Sequence, residues 1–582
     1  MGSACSRKRD QLDNEDSLHR GVTRIYCKSG SSKWLVTTFS KPAVDMQRGK
    51  GQCPSLMELC IYKTREDIDR YKTFSMLPRD ITQQIFNELV NSHCLTEVSL
   101  QAFKDCALQD LDLGEYPGVN DNWMGVISSQ GSSLLSVNLA GSDITDSGLM
   151  CLRVCGNLQD INLNCCYQIS DYGLQHISAL SNLTSLSFRR NGTVTAQGMS
   201  ALAGLVNLVK LDLEKCPGIH GGLVHLRGLT KLESLNINWC KTTTDAITDA
   251  DMMPLSVLTN LEKLQISCSK VTDAGITHLK GLQKLSILNL EGCPVTAACL
   301  DSLSALVALQ CLNLTRCNVT DDGSEKFSLL RNLKVLNLSF NEITDACLVH
   351  MKGLTNLESL NLDSCRIGDD GLANLTGLQQ LKFLVLSDTE VGSNGLRHLS
   401  GLINLESVDL SFTEVTDVGL RKLAGLSSIK SLNLDARQIT DAGLAALTTL
   451  TQLTDLDLFG ARITDSGTSY LRNFKNLRCL QICSGGLTDA GVKNIKDLSS
   501  LSLLNLSQNC NLTDKTLELI SGLTGLVSLN VSSSRITAAG LRHLKPMKNL
   551  RSLSLDSCKV TANDIKKLQS SDLPNLVCFR PE

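Results

Sequence analysis

The chain has 582 residues, 42% of them apolar, and a formal charge of −3. That length allows a large core, and the near-neutral charge gives no global pull toward nucleic acid. No run of 18 apolar residues occurs and the N-terminus lacks the apolar stretch of a secretory signal, so cytoplasmic synthesis and reduced thiols are expected for its 24 cysteines.

The chain opens Met1-Gly2-Ser3-Ala4-Cys5-Ser6-Arg7-Lys8-Arg9. Gly2 with Ser6 fits the acceptor pattern for N-myristoylation. One myristoyl chain holds a membrane only marginally and needs a second signal. Cys5 is a candidate palmitoylation site, and the basic triplet suits anionic lipids. The expectation is a lipid-anchored N-terminus at the cytoplasmic membrane face, followed to residue 50 by a polar, mostly flexible tether.

Residues 51–107 form a second segment. Leu77, Ile81, Ile85 and Leu89 recur every four residues, with Pro78 at the start and Phe86 widening the apolar face. This predicts an amphipathic helix. "LPRDITQQIFNELV" resembles the opening helix of an F-box, and "LTEVSLQAFKDC" resembles a second F-box helix. A clear V-C-[KR]-x-W segment is missing. Upstream, Ser55, Leu56 and Cys60 resemble an elongin-C-binding box, with Thr64 departing from its last position. The resemblance implies docking to a Skp-type or elongin-C-type adaptor and a cullin, through Leu56, Cys60, Leu77, Pro78, Ile81, Ile85 and Phe86. The plain alternative is a helical cap that closes the open N-terminal end of the adjoining segment.

From about residue 108 to the end, variants of "ITDSGL" recur. They stand 25 residues apart at Ile144, Ile169, Val194 and Ile219, then mostly 24 apart from Val271 to Val560. One unit reads Leu309-Gln310-Cys311-Leu312-Asn313-Leu314-Thr315-Arg316-Cys317, alternating apolar and polar as a short half-buried strand does. Val319 then points inward, and Thr320 and Asp321 are expected to cap the turn after it. This period and pattern are the leucine-rich-repeat signature. The predicted fold is α/β: a right-handed horseshoe of about nineteen repeats over 108–582, with an irregular unit near Trp239–Met252. At ~4.8 Å per strand the sheet would run on the order of 90 Å. With the cysteine-bearing repeats, the whole resembles plant-like F-box/LRR substrate receptors of SCF-type ubiquitin ligases.

Neither catalysis nor metal binding is expected. Cys166, Cys216, Cys240, Cys293, Cys317, Cys365 and Cys558 share one repeat position, which Asn341 and Asn509 fill elsewhere, and no C-x-x-C occurs. Six of nine histidines occupy another repeat position. Walker, G-x-S-x-G and G-x-G-x-x-G motifs are absent. No cofactor is implied. The expected activity is protein binding on the concave face. Its anchors would be exposed arginines and aromatics just past the strands: Arg189, Arg190, Lys215, Trp239 and Arg316 in a basic first half, then Phe340, Phe412 and Phe459 beside aspartates in the second. Two functions are expected as alternatives: a ligase substrate receptor, or a membrane-tethered scaffold without a ligase link.

Overall fold

In the computed structural model, residues 55–435 and 437–580 are described, and all lie in one compact unit. The lipidation candidates Gly2 and Cys5 fall outside them.

Three helices open the described chain: α1 (Leu56–Glu66), α2 (Arg79–Asn91) and α3 (Glu97–Leu100). Ser55 and Glu58 close a capping box at the start of α1, satisfying amides that have no partner within the helix. Pro78 precedes α2, where its missing N–H costs nothing. The apolar face of α2 turns inward. Phe86 and Leu89 are fully buried, and the Phe103 ring lies 5.4 Å from Phe86 and 4.9 Å from Phe74.

The helices then meet the first strand, Asp110–Asp112. Gln83 of α2 donates to the Asp110 carbonyl at 2.6 Å and accepts from the Gln109 amide at 3.1 Å. Tyr116 donates its hydroxyl to the Leu95 carbonyl at 2.8 Å. An open sheet edge presents unpaired backbone groups, and these contacts cover it.

Among the described residues, twenty strands form one parallel sheet, from Asp110–Asp112 to Cys578–Arg580. Each has three residues and pairs in register with the next, as Cys311–Asn313 does with Val335–Asn337. From Asp110–Asp112 to Ser552–Ser554 the middle residue points into the core. Short α or 3₁₀ turns line the opposite, convex side. Strands that bury leucine on one face only cannot hold a core alone, so stability comes from stacking. The irregular unit lies between the strands Ser234–Asn236 and Lys263–Gln265, where Lys241 and Ala246 form a small antiparallel bridge.

Three side-chain ladders tie the rungs together. In the cysteine/asparagine ladder, Cys216 Sγ donates to the Phe188 carbonyl at 3.0 Å and Cys240 Sγ to the Leu213 carbonyl at 3.1 Å. Asn509 Nδ2 does the same to Ile482 at 2.8 Å. Burial pushes the Cys216 and Cys365 thiols up to about 12, so they remain protonated donors at neutral pH.

The second ladder explains the "TD" of the repeated phrase. Asp121 accepts the Thr145 amide at 2.8 Å and its hydroxyl at 2.6 Å, from one rung to the next. Thr145 in turn caps the helix Asp146–Met150. Asp321 was expected to cap its own turn; it binds Thr344 of the following rung instead, at 2.9 and 2.7 Å. The glycine of the phrase follows from this strap, since a Cβ on Gly148 would overlap the Asp121 carboxylate.

The third ladder runs along the concave face, where Asn433 donates to Asp409 at 3.1 Å and Asn505 to Gln481 at 3.0 Å.

Candidate partner surface on the concave face

Alternation along each strand puts its first and third residues on the concave side. The third is half-buried from Asn138 to Asn337, then buried from Asn361 to Ser554. The floor of the face therefore closes in its second half.

Just past most strands the chain turns through a left-handed residue, φ 54–61° at Arg190, Lys215, Trp239, Arg316, Phe340 and Phe412. Its amide still donates to the next rung, as from Trp239 to the Ser267 carbonyl at 2.9 Å. Glycine takes this position without strain at Gly292 and Gly460. Six of the eight predicted anchors share this column, and Arg189 and Phe459 stand one residue earlier.

Several anchors are already engaged within the chain. Arg189 pairs with Glu214 at 2.8 Å, with Asp212 3.8 Å away, and Glu214 is deeply buried. Arg189 therefore serves the fold rather than standing open as expected, because it pairs with a buried carboxylate. Arg316 stacks on the Phe340 ring at 4.6 Å. Lys215 and Lys241 lie 6.0 and 5.3 Å from the Trp239 ring, which is 37% exposed. Phe412 is 48% exposed.

An apolar stripe overlaps both parts near the middle of the sheet. Ile287, Cys311, Val335 and Phe383 take the first strand position, where serine, lysine or aspartate stand in most other rungs. Ile287, Cys311 and Val335 line a shallow depression of about 220 Å³ with the asparagines beside them. The stripe is already present in the sequence as a column of first strand residues, less conspicuous than the larger residues of the turns.

Among the described residues, two concave polar groups are buried without a hydrogen-bond partner: Asn361 Nδ2 and Asp435 Oδ2. The asparagine ladder breaks next to Asn361, where Val385 takes the ladder position. Burial pushes the Asp435 carboxyl up to about 6, with the Asp409 charge adding and Arg437 opposing.

The adaptor candidates divide by exposure. Leu56 and Leu77 are exposed, as are Cys60 and Pro78, and Ile81 is half-buried. Ile85 and Phe86 are buried in the cap core and cannot meet a partner in this arrangement. Among the described residues no group of three His, Cys, Asp or Glu could hold a metal, and no helix is long and apolar enough to cross a membrane.

The family model for a leucine-rich repeat region matches residues 271–516, and one for a leucine-rich repeat matches 132–152 and 179–203. A Trypanosoma equiperdum protein, provisionally named an adenylate cyclase regulatory protein, is 32% identical over 108 residues. That match spans 19% of this chain and 16% of the relative's length. Among solved structures, an internalin from Listeria monocytogenes aligns at 26% identity over 58% of this chain and 90% of its own, TM-score 0.44. A TLR13–ssRNA13 complex aligns at 21% identity over 81% and 70%, TM-score 0.46. The Arabidopsis receptor kinase HAESA, in complex with the peptide hormone IDA and the co-receptor SERK1, aligns at 17% identity over 82% and 79%, TM-score 0.44. With its parallel in-register rungs and its matched repeats, the described chain is a leucine-rich-repeat solenoid.

Proposed function

We propose that this solenoid is a non-catalytic recognition scaffold that holds a protein on its concave face. The observation that carries this reading is the sectoring of that face into a basic-aromatic part, an apolar stripe and an acidic-aromatic part. A scaffold needing only its own stability would place small polar residues there, as most of its rungs do. Trp and Arg anchors dominate the energetics of protein interfaces, and Phe is enriched there. Changing Trp239 and Phe412 together to Ser should leave the fold intact and remove affinity for protein partners recovered with the wild type. Full retention of those partners by the folded double variant would refute the concave reading.

A second reading has its own support. Leu56, Leu59, Met76 and Leu77 in the cap are 78, 48, 90 and 41% exposed. Exposed apolar side chains of this kind suit a docked helical adaptor, and they include positions resembling the elongin-C and F-box motifs. In this reading the chain is the substrate-recognition subunit of an SCF-type cullin–RING ligase. The competing form is a scaffold tethered to the membrane through Gly2 and Cys5 with no ligase link. Co-purification of a Skp-type adaptor or elongin C with a cullin, lost on changing Leu56 and Leu77 to Ser, would separate them. Absence of adaptor and cullin from the wild-type complex would leave the scaffold. Release of a Gly2→Ala variant to the soluble fraction would support the tether.

A further inference from the structure

We propose that the concave floor from Asn361 to Phe459 seats an extended partner segment that sets a lysine or arginine side chain on Asp435. This deepens the concave reading and rests on it.

Asp435 is only 6% exposed, and its Oδ2 has no hydrogen-bond partner. The carboxylates on either side differ. Asp409 accepts from the Ser411 amide and hydroxyl and from Asn433 Nδ2, and Asp457 accepts from the Phe459 amide and Gln481 Nε2. Arg437, two residues on, is exposed; its charge favours the ionised Asp435 carboxyl from a distance, and among the described residues the two form no ion pair within 4.0 Å. The fold does not need a carboxylate here. Ser339, Ser387, Ser411 and Ser507 hold the same position in their rungs. Ser411 donates its hydroxyl to Asp409 at 2.7 Å, a bond that a serine at 435 could make to Asn433. A buried, unpaired carboxylate costs stability and is matched by a charge-assisted donor.

The surroundings fit a basic side chain. The Phe412 amide donates to the Asp435 carbonyl at 2.9 Å, and Phe459 follows one rung later in Asp435's own column. Aromatic side chains on the flanking rungs suit the aliphatic stem and the charge of lysine or arginine. Three rungs earlier, Asn361 Nδ2 lacks an acceptor. Three rungs span roughly 14 Å, about four extended residues. A segment whose carbonyl meets Asn361 would therefore carry its cation about four residues away, with Val385 and Phe383 between.

The test uses the full chain and a phage-displayed library of random dodecapeptides. Recovered peptides should carry Lys or Arg, and a synthetic copy should bind the wild type. Asp435→Ser and Asp435→Asn should weaken that binding about tenfold or more, while Asp370→Ser on the convex side leaves it unchanged. Circular dichroism confirms that the variants fold. Peptides without basic residues, unchanged binding to folded Asp435→Ser, or recovery of no peptide would each overturn the inference. Binding that falls with Trp239→Ser but not with Asp435→Ser would remove it and keep the concave reading. Binding untouched by either change would remove both.

Discussion

Asp435 shows how one side chain can be read against its column. Its folded pKa of about 6 lies above the 3.8 of a free carboxyl, mainly through burial. For a raised carboxyl the sign is fixed: the folded state holds the proton more tightly, so stability falls as pH rises from about 4 to about 6. A shift of about two pH units corresponds to about 3 kcal/mol at most. Asp435→Ser is therefore expected to be more stable than the wild type at pH 7.5, by about 1–3 kcal/mol in urea unfolding. The difference should vanish near pH 4. A serine variant less stable than wild type at pH 7.5 would mean that the carboxylate has a structural partner after all. The left-handed residues teach the opposite lesson. Trp239 and Phe412 look exceptional in the sequence, yet their backbone conformation recurs in nearly every rung, so only their side chains are informative.

At the scale of elements, the strap and the cap can be tested separately. Asp417 accepts the Thr440 amide at 2.8 Å and its hydroxyl at 2.6 Å. Asp417→Ala leaves both donors unpaired and should cost about 1.5–3 kcal/mol in urea unfolding. A loss below 0.5 kcal/mol would show that water replaces the strap at no net cost. In the cap, Phe86 is fully buried against Phe103, so Phe86→Ala should cost about 3–5 kcal/mol locally. Leu77→Ala, at an exposed position, should cost less than about 1 kcal/mol. Hydrogen exchange across residues 79–116 distinguishes the two. Equal protection losses would place Leu77 in the cap core. Periodicity made α2 legible, including its apolar stripe. Which part of that stripe faces inward depended on the edge of the first strand, which needs Gln83 beside it and so turns Phe86 in.

Across the whole molecule, stability is a sum over neighbouring rungs, and the weakest place should be where the register is interrupted. Residues 241–245 are exposed and join the strands Ser234–Asn236 and Lys263–Gln265. Limited trypsin digestion should make its first cut within the repeats after Lys241. The two halves should stay associated, because Leu235 and Leu264 remain paired in register. A first cut in any regular rung would show that the insertion is held as firmly as the sheet.

The repeat period, the parallel strands, the buried cysteine column and the position of the irregular unit were all determined by the sequence alone. The reason is physical: each rung repeats one short-range pattern, and a leucine strand with a single buried face has only stacking available to it. The candidate surface was legible in part. The turn residues were visible as departures from the repeat, but Arg189 proved to be paired with Glu214, a partner 25 residues away. The apolar stripe, the closing of the floor from Asn361 onward and the lone carboxylate of Asp435 were decided only by tertiary structure. Each is a relation between successive rungs, and whether a polar atom finds a partner depends on which side chain the next rung brings beside it.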